Sequence, residues 1–306
     1  MEGLKYQISN HGESDNQTLR SPTAPSVGPH SDHLSCTSLR DALWSRQFVF
    51  GFSSETGMAR HLPFPLVRTV GFDGALVTFA DTMSETANRA ALAFRSEVDR
   101  LQWSEVTESS ASLASAYVRF DTQRTTHQQM LHKLQDLVDQ RDWYNTPLPT
   151  GRRLWRIPTV YGTDLAPQLD DAAAAAGLAP AEAIRRLGQS RVRVLTIGFA
   201  PGQPYLGPLP PEFNIPRLQN LTPMVPEGAL VLAISQFVLF SGPTPTGWQH
   251  VGQTAFRCFR PETSEAFALN PGDELMFEPV SREDLDHIKA NNEDGTGGAT
   301  CEAIAP

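Results

Sequence analysis

The stretch Gly198-Phe-Ala-Pro-Gly-Gln-Pro-Tyr-Leu-Gly207 decides how the second half of the chain is read. It follows Arg191-Val-Arg-Val-Leu-Thr-Ile197, where polar and apolar positions alternate and then close into an apolar run, the mark of a strand entering a core. Three glycines and two prolines within the next ten residues exclude a helix or a central strand. The segment therefore reads as a rigid loop at a strand end. Pro201 and Pro204 preset φ, while Gly198, Gly202 and Gly207 free it, so Phe199, Tyr205 and Leu206 sit on a fixed backbone. Such a loop either holds a ligand or partner or is a packed connection.

Outward from that loop, 306 residues are enough for about two domains, each with a sizeable core. A net charge of -9 and a pI near 5.4 argue against nucleic acid and against an anionic membrane surface. The longest apolar run, Ala229 to Phe240, is broken by Ser235 and Gln236 and is too short to span a bilayer. Met1-Glu-Gly-Leu-Lys-Tyr-Gln7 contains no apolar segment like a secretion signal. Cys36, Cys258 and Cys301 are few, odd in number and far apart, which suits a reducing compartment. These features predict a cytoplasmic protein with neither a membrane nor a nucleic-acid partner.

Residues 1–62 are rich in Ser, His, Pro, Gly, Asn and Thr and are expected to be a disordered tail. Within them, His30, His33 and Cys36 are spaced like metal ligands but lack a fourth, so no metal site is assigned. Residues 63–150 predict a small α+β domain. Ala75–Phe79 reads as a strand, and Thr82-Met-Ser-Glu85 as a capping box. Ala87, Ala91, Phe94, Val98 and Leu101 then form one helix face. Strands are expected at Ser104–Ser109 and Leu113–Phe120. A second helix starts at the Thr126/Gln129 box, with Met130, Leu131, Leu134, Leu137 and Val138 inward. A strand at Leu154–Ile157 then completes a β-α-β-β-α-β, ferredoxin-like α/β sandwich.

A helical pair follows, one helix ending at Gly177 and the next running from Pro180 to Gly188. From Arg191 the pattern turns to short strands punctuated by Gly and Pro, as in a β-barrel. The expected strands are Val192–Ile197, Ala229–Ile234, Phe237–Phe240, Ala255–Arg260 and Glu274–Phe277. The barrel domain with its leading helical pair is placed at 151–285, and 286–306 is expected to be a disordered tail.

Four motifs in order carry a resemblance. They are the 198–207 run, Pro216-Arg217 with Val225-Pro-Glu-Gly228, Gly247-Trp-Gln-His-Val-Gly-Gln-Thr254, and Leu269-Asn-Pro-Gly-Asp273 with Phe277. Together they resemble the KipI-like family, which comprises the 5-oxoprolinase B-subunit and allophanate hydrolase subunit 1 (carboxyltransferase subdomain C and D). The resemblance implies a small α+β domain followed by a cyclophilin-like β-barrel, working with a homologous second subunit. It also implies an assembly that opens 5-oxoproline to L-glutamate at the expense of ATP. Two alternatives stand beside this: the carboxyltransferase half of a biotin-dependent urea carboxylase system, and a non-catalytic binding protein that keeps the scaffold. The chain departs from the family pattern at Leu187, Gln203, Ile234-Ser235, Leu239-Phe240-Ser241 and Gln253.

No Gly-x4-Gly-Lys-Ser/Thr loop is present, so ATP is not expected at a P-loop of this chain. A site here would work with backbone amides and neutral polar groups. Pro201, Gly202 and Gly247 are candidates for an anion-binding nest or are simply turn residues. Tyr205 either bonds a substrate carboxylate or packs its ring. Gln236, polar inside an apolar run, faces a pocket or finds an internal partner. Trp248 anchors packing or stacks on a ligand. His250 is the acid–base candidate, being the only histidine within the signature region. Arg217 and Arg257 either clamp a carboxylate or phosphate or are surface charges.

Overall fold

A computed structural model describes residues 64–304. The tail expected over 1–62 and its His30/His33/Cys36 spacing lie outside the described residues.

The first layer is an antiparallel sheet of β1 (Leu66–Val70), β2 (Gly74–Thr78), β3 (Val106–Ser112) and β4 (Ser115–Phe120), in the order β1-β2-β4-β3. Helices α1 (Glu85–Leu101) and α2 (His127–Val138) cover it. Ala75 and Val77 of β2 pack against Ala87, Ala91, Phe94 and Val98 of α1 and Met130, Leu134 and Leu137 of α2, which are the apolar stripes of the two helices. The Thr126/Gln129 capping box closes the start of α2 as expected. The start of α1 differs: Ser84, not Thr82, is the cap, its hydroxyl accepting from the Ala87 amide at 3.1 Å.

The spatial strand order is that of the ferredoxin-like sandwich, but the chain reaches it by another route. The place beside β2 is taken by β1, which precedes α1, and not by a strand after α2. β1 is an exposed edge strand and so carries no alternating signature. The residues expected there, Leu154–Ile157, belong to the second layer.

That layer is a closed barrel. Its strands are β5 (Arg153–Tyr161), β6 (Val192–Ile197), β7 (Pro204–Gly207), β9 (Ala229–Ala233), β10 (Gln236–Leu239), β12 (Gln249–Thr254) and β13 (Glu274–Pro279). They run β12-β9-β10-β7-β6-β13-β5, and β5 pairs back onto β12 to close the circle. Leu206, Leu230, Leu232, Phe237, Leu239, Leu275 and Phe277 fill the interior. Helices α3 (Leu169–Ala175) and α4 (Pro180–Gln189) pack Leu169, Ala172 and Leu187 onto the same core. A ribbon of β8 (Thr222–Val225) and β11 (Thr244–Thr246) lies apart from the barrel sheet. The two layers are tied by Asn88 of α1, whose Nδ2 donates to the carbonyls of Leu113 (2.8 Å) and Leu195 (3.3 Å).

Three expectations are corrected. Only 198–203 is loop, because Pro204–Gly207 is β7, hydrogen-bonded between β6 and β10. Pro204 is tolerated as the first residue of the strand. At Gly202, φ is +71° and a Cβ would lie 2.9 Å from the Cys258 carbonyl, so that position requires glycine. The strand expected at Ala255–Arg260 lies one step earlier, as β12, and 255–260 runs irregularly. The tail expected at 286–306 is ordered through 304. Ser281 and Asp284 form a capping box for α5 (Arg282–Ala290), and β14 (Thr300–Ala303) pairs with β5.

The β9–β10 hairpin turns through Ile234 and Ser235, at φ 46° and 56°. Two positive φ values in a two-residue hairpin favour Asn-Gly. A side chain such as isoleucine costs about 1–2 kcal/mol there. The double variant Ile234→Asn/Ser235→Gly is therefore expected to stabilise the fold by about 1–2 kcal/mol. Urea unfolding with an unchanged slope checks it, and no rise in midpoint refutes it.

Candidate functional site

Register places the candidate side chains on the outer wall of the barrel. Leu230, Leu232, Phe237 and Leu239 point inward, so the intervening residues of β9 and β10 point out. Tyr205 pairs with Val238, Val238 with Val231, and Val231 with His250, one continuous row across β7, β10, β9 and β12. Three strand spacings separate Tyr205 from His250, roughly 14 Å. One step along the wall, Gln236 pairs with Ala233, and one step the other way, Ala229 pairs with Gln253. Strand pairing thus brings Tyr205, Gln236 and His250 to one wall, and Trp248, just before β12, packs on the same wall, in two groups.

The first group is aromatic. Trp248 is buried against Val225, Val231 and Val238, with the Tyr205 ring edge-on at 6.3 Å. The Arg217 guanidinium lies 5.3 Å over the Trp248 ring. Among the described residues no acid pairs with Arg217. Burial pushes the Tyr205 hydroxyl above its ordinary range, with Gln203 and Arg217 opposing. Gln236 is half-buried at the start of β10, its Cγ close to Gly207. Pro201 is exposed at the tip of the β6–β7 turn. Gly202 and Gly247 are not brought together as a nest. Gly202 is packed against Cys258, and the Gly247 carbonyl accepts from the Leu218 amide at 2.7 Å.

The second group lines a cavity of about 560 Å³, a size suited to a small ligand. His250 and Gln253 of β12 form part of its wall, with Gln168, Glu227, Arg257 and Lys289 around them. Gln168, just before α3, clamps His250. Its side-chain oxygen accepts from the His250 amide at 2.6 Å, and its own amide donates to the His250 carbonyl at 3.1 Å. Its Nε2 donates to Thr222 Oγ1 at 3.0 Å. Gln253 Nε2 donates to the carbonyls of Glu227 (2.9 Å) and Thr254 (3.0 Å), which fixes the direction of its Oε1.

Among the described residues, two buried polar atoms in this wall make no hydrogen bond of good geometry, His250 Nε2 and Gln253 Oε1, although the Gln253 side chain lies close enough to the His250 ring to favour its protonated form. Both residues are buried, at 4% exposure each. Buried polar atoms are almost always paired, so two poorly satisfied ones side by side make this the candidate binding wall. Burial holds the His250 ring below its ordinary pKa, partly opposed by the Gly252 backbone and the Gln253 side chain. The ring is therefore neutral at pH 7. Arg257 is held by Glu227 at 3.4 Å and by Glu262.

Of the sequence candidates, the cavity gathers His250 and Arg257. Gln168 and Lys289 carry no signal in the sequence, where Gln253 stands out only as a departure from the family pattern. No group of three His, Cys, Asp or Glu side chains among the described residues is placed to hold a metal ion. No helix among the described residues is long and apolar enough to cross a membrane.

A closed barrel beside a small α+β layer, with a ligand-sized cavity in the barrel's outer wall, is a two-part architecture whose candidate site is that cavity. The profile of the family "Carboxyltransferase domain, subdomain C and D" matches residues 65–269, and the chain belongs to that family. It is similar to the 5-oxoprolinase B-subunit of Bacillus subtilis (strain 168), 33% identical over 139 residues, which is 45% of this chain and 58% of that protein. It is 35% identical over 141 residues to the 5-oxoprolinase B-subunit of Escherichia coli O157:H7, covering 46% of this chain and 65% of that protein. The chain thus spans less than two thirds of the length of either relative. Among solved structures, TTHA0988 is 27% identical with a TM-score of 0.56, over 71% of this chain and 40% of that one. Kluyveromyces lactis urea carboxylase, 18% identical with a TM-score of 0.61 over 78% of this chain and 24% of that one, shares the fold.

Proposed function

We propose that the chain is one component of a 5-oxoprolinase-type assembly, which opens 5-oxoproline to L-glutamate at the expense of ATP together with a homologous second subunit. The observation that carries this reading is the pair of buried, poorly satisfied polar atoms, His250 Nε2 and Gln253 Oε1, side by side in one cavity wall. A lactam offers an N–H that Gln253 Oε1 can accept and a carbonyl beside it. A neutral imidazole supplies or takes the proton that ring opening moves. Opening an unactivated lactam is slow because amide resonance must be broken, so groups fixed where charge develops lower the barrier most. The similarity to two proteins named as B-subunits of 5-oxoprolinase supports the substrate class. Arg217 and Tyr205, at the far end of the row, suit contact with the second subunit.

The residues of the cavity do not fit the triphosphate of ATP. Asp164 and Glu227 line it, Arg257 is already engaged by two carboxylates, and Lys289 alone does not balance the charge of a triphosphate. We assign ATP to the rest of the assembly.

The test is a pull-down of the full chain from its own cells, with the eluate assayed for ATP-dependent glutamate formation from 5-oxoproline. A homologous co-purifying subunit, and turnover lost when this chain is depleted, is the expected result. Equal turnover without the chain overturns the reading. ATP- and bicarbonate-dependent consumption of urea moves the assignment to the carboxyltransferase alternative, and no turnover moves it to the non-catalytic one.

A further inference from the structure

The stretch matched by the family profile ends at residue 269, yet the cavity wall continues beyond it. Lys289, in the last turn of α5, and Asn292, just past its end, line the cavity. Asn292 is structural. Its Nδ2 donates to the Ala255 carbonyl at 2.8 Å, and its Oδ1 accepts from the Gly297 amide at 2.7 Å. The Arg257 amide donates to the Gly295 carbonyl at 3.0 Å. At Gly297 the approach is so close that a Cβ would lie 2.3 Å from the Phe256 nitrogen. These contacts fasten the end of α5 to the 255–260 segment, so Lys289 is carried on a fixed base.

The charges around the cavity divide unevenly. Asp164 is paired with Arg282, and Glu227 with Arg257, which also holds Glu262. Among the described residues no acid pairs with Lys289. The cavity thus offers one uncommitted cation, one fixed acceptor in Gln253 Oε1, and one ring nitrogen in His250 Nε2.

We infer that Lys289 is the anion-binding, specificity-determining residue of this cavity, which takes a small carboxylate that also carries an amide N–H. The carboxylate meets the Lys289 ammonium, and the amide edge meets Gln253 and His250. This inference rests on the cavity being the substrate site proposed above. An exposed ammonium acts as a point charge, so its contribution is salt-sensitive and is kept by arginine in part.

The experiment is calorimetric titration of the full chain with 5-oxoproline and with 2-pyrrolidinone, the same lactam without its carboxylate. The wild type is expected to prefer 5-oxoproline, and Lys289→Met to lose about tenfold in affinity for it while binding 2-pyrrolidinone unchanged. Lys289→Arg is expected to recover most of the preference. Circular dichroism confirms that each variant is folded. Equal affinity of wild type for the two lactams, no binding of either, or undiminished 5-oxoproline binding by Lys289→Met overturns the inference. The reading of function fails separately. Discrimination by Lys289 without turnover in the assembly sinks the enzyme reading and leaves Lys289 standing. Turnover with an unchanged KM in Lys289→Met sinks only the role of Lys289.

Discussion

Gly228→Ala is expected to cost at least about 3 kcal/mol, a large part of the stability of a domain this size. Gly228 has φ +76°, and a Cβ there would lie 2.6 Å from the Thr254 carbonyl and 3.1 Å from Gln253 Nε2. The left-handed backbone alone costs a side chain about 1–2 kcal/mol. The rest comes from displaced hydrogen bonds, each about 1–3 kcal/mol when a buried group is left unpaired. The Gly228 amide donates to Phe240 at 2.9 Å, and its carbonyl accepts from the Thr254 amide at 2.9 Å. Urea denaturation reads the loss. Gly242→Ala, where an added Cβ meets nothing within 4 Å, is the control and is expected to change stability by less than about 0.5 kcal/mol. A loss at Gly228 no larger than at Gly242 refutes the argument.

His250→Gln is expected to lower kcat of the reconstituted assembly by about 10²–10⁴, the usual worth of a positioned proton-transfer group. The same variant has a signature in stability against pH. The folded pKa of His250 is depressed by burial, so the unfolded chain binds more protons as pH falls below about 6.5. Stability is fully present above that value and is lost as pH falls toward the folded pKa. The thermal midpoint of the wild type should therefore drop between pH 7.5 and 5.5, and the drop should be smaller in His250→Gln. A parallel pH profile in the two proteins would remove His250 from this account, and full kcat in the variant would remove its role in proton transfer.

Local signals in the sequence translated well into elements. The stripe on α2 and its capping box, the Pro at the start of α4, and the apolar run of β9 were all readable because each is decided by neighbours within a turn or a strand. What misled was polarity that tertiary pairing overrides. Gln249-His-Val-Gly-Gln-Thr254 has little strand character, yet every residue in it is buried between β9 and β5. Ala255–Arg260 has the alternation of a strand but lies under the 292–298 segment and has no strand partner of its own beyond one bridge at Phe259. In the site, His250 was visible as a lone histidine in a signature. Gln168 was not, because its work is done through backbone atoms of a strand far along the chain. Lys289 was hidden by a polar stretch that reads as a tail until Ser281 and Asp284 are seen to cap it.

The neighbours of β5 impose an order on synthesis. All three strands that pair with it, β12, β13 and β14, lie toward the C-terminus, and none is its sequence neighbour. Trp155 waits for Leu275 on one side and Cys301 on the other, and Val160 for Gln253. As the chain leaves the ribosome, β5 emerges with both edges bare, gains β12 at its far end and β13 along one edge only after residues 254 and 279, and waits for β14 to cover the rest. A nascent chain stalled before residue 249 presents an unpaired apolar strand, the template for aberrant association. The helical pair that follows β5 at once, and that packs Leu169 and Leu187 onto the same core, supplies early cover for an interior that cannot close until late.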